Sequence, residues 1–334
     1  MWALCFCESH FISVVTPPFK LFPKISATSY GPESVRGGSW VALEKIHGAQ
    51  LVIAVSEHEI RFGKRKAWLA DGESFFGWQL LRQALADKAR AMYDSLALPG
   101  SLLTIYGELF GGGYPSPSVL VVPGLTPVQT GVWYAPDLHY AVFDVHLSPT
   151  AEAEGEFLSY TEVSDLATSA ALLLPPLLQK GPRQTLEQLP VRFMSHVPAL
   201  FGLPPLEQNW AEGYVLKADA RSTLSDRAVL KRKIAEFDEQ MFDESRPWNP
   251  QQMMTLEELK EWATRLVNGP RVASARSKWG ATDMQQLFEE VALDVLVDIE
   301  LAFPTAFQAL SSEDEELLRS HVRALAVALM EGAL

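Results

Sequence analysis

Strand patterns recur along the chain as far as Val229–Ile234 and none survives beyond Asp238–Gln252, and that break governs what the chain can fold into. Trp40–Val55 reads as two strands around a tight turn. Val41, Leu43 and Lys45 alternate up to Gly48, and Leu51, Ile53 and Val55 alternate beyond it. Asp71 can cap a helix reaching about Leu98, with Phe76, Leu80 and Ala84 on one face and Pro99-Gly100 as its stop. Leu102–Tyr106 reads as a strand feeding a glycine loop at Gly111-Gly112-Gly113, and Tyr140–Leu147, Gly213–Lys217 and Val229–Ile234 read as three more strands. No regular βαβ rhythm joins them, so the class is α+β rather than doubly wound.

The character changes across Asp238–Gln252, where Pro247 and Pro250 flank Asn249. Thr255 with Glu258, and Ser312 with Glu315, then form capping boxes for helices, and Asp283–Leu301 is a long periodic segment between them. The expected organisation is an extension at 1–18, a mixed domain at 19–240, a linker at 241–252 and a small all-helical domain at 253–334.

Forty-one acidic against 28 basic residues leave a net charge of −13, so a polyanion would need local basic clusters to bind. Two cysteines, Cys5 and Cys7, exclude a disulfide-built scaffold, and with His10 they fall short of a zinc site because no second ligand pair follows. The most apolar stretch, Ala170–Leu178, is short and broken by Pro175 and Pro176, so no membrane span is expected. The N-terminal stretch lacks a positively charged region and a cleavage site, which makes a soluble, cytoplasmic protein the expectation.

Six constellations could carry chemistry. Glu44-Lys45-Ile46-His47-Gly48 places a lysine at a strand–turn junction, where burial beside cations or a metal could lower its pKa enough for nucleophilic work. Lys64-Arg65-Lys66 suits a phosphate clamp. Glu108, leaving a buried strand beside glycines, suits a sugar hydroxyl. Phe143-Asp144 puts a carboxylate inside an apolar strand, where it needs a partner or a cleft. Glu212-Gly213-Tyr214-Val215-Leu216-Lys217 is the fifth. In the sixth, Lys231 and Lys233 share one strand face and repel unless an anion such as a triphosphate lies between them. Each alone also fits an ordinary turn, core or solvated face.

Their order resembles the covalent nucleotidyltransferase superfamily of DNA ligases, RNA ligases and capping enzymes. These read K-x-(D/H)-G, a glycine-adjacent glutamate, an aromatic-acid strand, E-G-x-V-x-K and a lysine-rich strand, matched here at Lys45, Glu108, Phe143-Asp144, Glu212 and Lys231-Lys233. With His47 in the first motif and the segment Val128-Gln129-Thr130-Gly131-Val132-Trp133-Tyr134, the chain is most similar to the RNA ligase 2 family of phage double-strand RNA ligases and trypanosome editing ligases. That resemblance implies an ATP-grasp-like adenylyltransferase domain of antiparallel sheets followed by helices. It also implies an ATP-dependent RNA ligase that seals RNA 3′-OH and 5′-phosphate ends, as in a nicked duplex, through a lysyl-AMP intermediate.

By the same resemblance, Lys45 is the nucleophile and Glu44 meets the adenine amine, with Ile46 beside it. His47 supports nucleotidyl transfer, Arg65 touches a phosphate, Glu108 contacts ribose and Phe143 stacks on adenine. Lys231 and Lys233 hold phosphates, while Glu108 and Glu212 meet Mg²⁺ or Mn²⁺ through water. Leu43 stands where phage members often have arginine, and Gln50 where asparagine is common. Arg265, Arg271, Arg276 and Lys278 form a basic stretch that could track a duplex backbone. Truncation after about Glu239 is expected to spare attachment of AMP to lysine. The competing readings are a DNA ligase and a non-catalytic nucleic-acid end-binding protein on the same fold.

Overall fold

The computed structural model describes residues 18–25, 38–96, 98–237, 251–279 and 284–331. Cys5, Cys7, His10 and most of the expected linker lie outside them. Two antiparallel sheets form the mixed α+β part. The larger has the order β4-β3-β2-β5-β6-β7 and comprises β2 (Ala49–Val55), β3 (Ile60–Lys64), β4 (Ala67–Trp68), β5 (Leu102–Gly113), β6 (Ala135–Ser148) and β7 (Glu156–Phe157). The smaller has the order β10-β9-β1-β8, from β1 (Ser39–Glu44), β8 (Leu177–Pro182), β9 (Gly213–Ala218) and β10 (Val229–Lys233).

The two strands read from Trp40–Val55 are present but are not a hairpin. β1 pairs with β8 and β9, whereas β2 pairs with β3 and β5, so residues 45–48 cross from one sheet to the other. Gly48 is required at that crossing. A Cβ there would lie 2.2 Å from the Leu109 carbonyl oxygen and 2.9 Å from Glu108 Cγ.

Three boundaries differ from the sequence reading. Helix α1 (Gln79–Leu96) starts at Gln79 rather than after Asp71, because Phe76 and Gly77 have φ of 54° and 72°. The Gln79 amide instead donates to the Asp71 and Glu73 carbonyls and closes that turn. The Gly111–Gly113 run is not a loop but the end of β5, bulged against β6, with φ of 95° at Gly111 and 84° at Gly112. Ser312 is already helical, and Ser311 caps the last helix by accepting from the Asp314 N–H at 3.1 Å.

The remaining helices are α2 (Tyr160–Ser169), α3 (Arg183–Leu186), α4 (Val197–Leu200), α5 (Leu256–Leu266), α6 (Gly269–Trp279), α7 (Met284–Ala302), α8 (Pro304–Gln308) and α9 (Ser312–Met330). The Thr255–Glu258 capping box opens α5 as expected. The C-terminal helices share one core with the larger sheet. Leu259, Trp262, Val295 and Phe303 join the apolar cluster that holds Trp78, Leu80, Leu109 and Val122, and the Trp262 indole donates to the Pro123 carbonyl at 3.0 Å.

Part of the expected basic stretch is turned inward by the same packing. The Arg271 side chain is buried, bonded to Asp294 at 2.6 Å and to Asp298, and Arg265 pairs with Asp137 at 2.5 Å. Neutralising buried Asp298 takes the guanidinium out of any RNA-facing role. Among the described residues no helix is long and apolar enough to cross a membrane.

Candidate active site

A cleft of about 980 Å³ lies between the two sheets, and all ten sequence-predicted site residues border it. The sheets divide the work. Lys45, Glu212, Lys231 and Lys233 belong to the smaller sheet and its edges, whereas Arg65, Glu108 and Phe143 belong to the larger one.

Lys45 leaves the end of β1 and its backbone N–H donates to the Gly213 carbonyl at 2.9 Å. Its ammonium donates to Glu212 Oε2 at 2.6 Å, while Lys233 pairs with Glu212 Oε1 at 2.6 Å and His47 Nδ1 lies 3.6 Å from Oε2. Burial raises the Glu212 pKa, but Lys45, His47 and Lys233 together hold it far below the usual carboxylate range. For Lys45, burial acts downward, and the charges of Glu212 and Glu108 more than offset it. The ligand-free lysine is therefore held above its ordinary pKa. The expected depression by cations concerns the site with metal and triphosphate bound; without them the two carboxylates decide. Burial and the nearby Glu212 charge push Glu108 up to about 7 despite Lys45, the Gly48 amide and Arg65.

Lys231 and Lys233 share a face as the alternation required, with Lys231 opposite Val215 and Lys233 opposite Gly213 across β9. Phe143 owes its aim to a β-bulge: Tyr106 pairs with Asp144 and Gly107 with Val142, leaving Phe143 between them without a partner in the ladder. Its ring meets Phe22 edge-on at 5.0 Å. Asp144 has the partners its burial demanded, Lys217 Nζ at 3.3 Å and the Arg227 guanidinium. Arg227 itself stacks between Phe22 and Phe157, at 4.6 and 4.2 Å from their centroids.

Two predicted residues turn their side chains away from the cleft. Ile46 plugs an apolar cluster with Phe110, Tyr134 and Phe237. Glu44 lies on the opposite face of β1 from Leu43. It accepts from Ser195 Oγ at 2.6 Å and the His196 N–H at 2.9 Å, and its side chain is 0% exposed. An adenine contact through Glu44 would need that carboxylate to be uncovered. Sequence reading missed Ser195, His196 and Arg227, and it gave Lys217 no role. A buried Asp144 on an apolar strand was the one signal that a cation had to come from elsewhere.

Polar atoms at the cleft fit a bound polar ligand. His47 Nε2, Gln50 Nε2 and Gln129 Oε1 are buried without a hydrogen-bond partner. Among the described residues no three His, Cys, Asp or Glu side chains gather to cage a metal. Two carboxylates beside several cations instead fit a divalent ion that arrives with phosphate oxygens and keeps water ligands.

Two curled antiparallel sheets closing on a lysine-bearing cleft make this a nucleotidyltransferase-like fold. Residues 38–233 match the RNA ligase family, and the chain belongs to that family. It is 34% identical over 200 residues to RNA-editing ligase 2, mitochondrial, of Trypanosoma brucei brucei, covering 53% of this chain and 48% of that protein. With RNA-editing ligase 1, mitochondrial, of the same organism, it shares 31% over 225 residues, 59% of this chain and 47% of the relative. The chain thus spans about half the length of the curated relatives it matches. A structure of Naegleria gruberi RNA ligase with PPi superposes with a TM-score of 0.39 at 16% identity, covering 65% of this chain and 61% of that one.

Proposed function

We propose that the protein is an ATP-dependent RNA ligase of the RNA ligase 2 type, with Lys45 as its nucleophile. The observation that carries this reading is the Lys45–Glu212–Lys233 arrangement at the floor of the cleft, inside the span that matches the family. Lys45 attacks the α-phosphate of ATP, expels pyrophosphate and becomes lysyl-AMP. The AMP then passes to an RNA 5′-phosphate, and an RNA 3′-OH displaces it to seal the break. Transfer of this kind needs position and charge neutralisation more than covalent help. Lys231, Lys233 and Arg65 supply that charge for the phosphates, Phe143 offers a face to the base and Glu108 an acceptor to ribose. A Mg²⁺ or Mn²⁺ bound with ATP would supply further charge neutralisation, and Glu108 and Glu212 would hold it through water. Lys45 must shed its proton first, so nucleotide binding has to weaken the hold of Glu212.

The test is incubation with ATP and Mg²⁺ on a nicked duplex, comparing RNA with DNA at the 3′-OH terminus, alongside Lys45→Ala. Sealing with RNA alone at that end, and no AMP attachment in Lys45→Ala, is the expected result. Sealing of DNA ends would move the reading to a DNA ligase. AMP bound to another lysine in Lys45→Ala would overturn the assignment of the nucleophile.

A further inference from the structure

A closed ring of hydrogen bonds ties together three stretches of chain around the nucleophile. The Tyr134 hydroxyl, in the β5–β6 connection, accepts from the His47 backbone N–H at 2.8 Å. Its neighbour Trp133 is bracketed by Asn209: Oδ1 accepts from the Trp133 N–H at 2.8 Å, and Nδ2 donates to the Trp133 carbonyl at 2.7 Å. Asn209 leads into Glu212 and Gly213, and the ring closes where the Lys45 N–H donates to the Gly213 carbonyl at 2.9 Å. The Asn209 carbonyl also accepts from the Ser195 N–H at 2.9 Å, and the Ser195 hydroxyl holds Glu44. The residue before the nucleophile is thereby tied into the same network.

Tyr134 and Asn209 are 2% and 5% exposed, and neither borders the cleft. Packing alone does not require the polar atoms. A phenylalanine would fill the space of Tyr134 against Phe110 and Ile46, and buried amides are retained where their bonds specify geometry. Gln208, just before Asn209, holds φ at 57°, a left-handed conformation that a non-glycine residue keeps only where its surroundings impose it.

We propose that Asn209 and Tyr134 are positioning residues, which fix the backbone of residues 45–48 against the Glu212 segment and so hold Lys45 in line for attack. This rests on Lys45 being the nucleophile, and the test separates the two claims. In the ligand-free 334-residue chain, hydrogen exchange at the His47 amide is measured for Tyr134→Phe and Asn209→Ala. Both are expected to speed it by about tenfold or more, the second although Asn209 does not touch His47. An unchanged rate in a folded Asn209→Ala overturns the ring. Should that variant fail to fold, Asn209→Asp keeps the acceptor for the Trp133 N–H, loses the donor to its carbonyl, and carries the same expectation.

The second readout is single-turnover attachment of AMP to Lys45. At saturating ATP and Mg²⁺ each variant is expected to be about tenfold slower, with half-saturating ATP within about twofold of wild type. The double variant should be no slower than the slower single one, because both act through one ring. Unchanged maximal rates, a shift in half-saturation alone, or multiplying effects would each overturn the proposal. If the wild type takes up no AMP at Lys45, the ligase reading fails, and the exchange measurement still decides the ring.

Discussion

Replacing Glu212 by glutamine is expected to drop the Lys45 pKa from above the ordinary lysine value to well below it. The carboxylate receives Lys45 and Lys233 on its two oxygens, each at 2.6 Å, and its side chain is 2% exposed. Glutamine removes the attraction that now outweighs burial. It also leaves unscreened the two ammoniums that each sat 2.6 Å from one carboxylate, and their repulsion, about a few kcal/mol at an effective dielectric near 20, favours loss of a proton. Glu108 remains as the nearest carboxylate but does not pair with Lys45 directly. Lys45 in Glu212→Gln should therefore titrate below the ordinary lysine value. Reductive methylation with carbon-13 formaldehyde gives a Lys45 resonance that can be followed with pH, assigned by its loss in Lys45→Arg. A Lys45 titration in Glu212→Gln at or above the ordinary 10.5 would refute the claim that Glu212 holds the proton.

Glu108→Gln should stabilise the protein by about 1–3 kcal/mol above pH 7, since a carboxyl raised to about 7 by folding costs stability wherever it must ionise. The native state binds the extra proton between about pH 4.5 and 7, so the gain should fade across that window as pH drops, measured by urea unfolding at each pH. Arg271→Met strands Asp298 in the core and should cost about 3–5 kcal/mol in the same unfolding assay. Adding Asp298→Leu should recover much of that loss. Truncation after Phe237 should abolish cooperative unfolding by calorimetry rather than only impair sealing, because Trp262 and Phe303 complete the core over Val122.

Strands and caps were legible in the sequence where local pattern decides them. β9 and β10 fall where they were read, β6 contains the apolar run Tyr140–Leu147 but begins at Ala135, and Thr255 with Glu258 caps α5 as read. Errors came where geometry overrides pattern. Alternation on both sides of Gly48 cannot say that the chain changes sheets there, and consecutive glycines look the same in a loop as in a bulged strand. The cleft residues other than Ile46 could be found because each carries charge or a ring in a fixed order. Asn209 and Tyr134 could not, since they act through backbone groups of residues far away in sequence. Arg271 looked like surface charge because nothing local announces that Asp294 and Asp298 will face it from the next helix.

The crossing at residues 45–48 makes the cleft work as a caliper. Lys45 is fastened to the smaller sheet through the Gly213 carbonyl, and Gly48 is wedged against Glu108 on the larger. A ligand that spans the cleft therefore meets the lysine and Glu108 on opposite walls that four residues of continuous chain hold to one spacing.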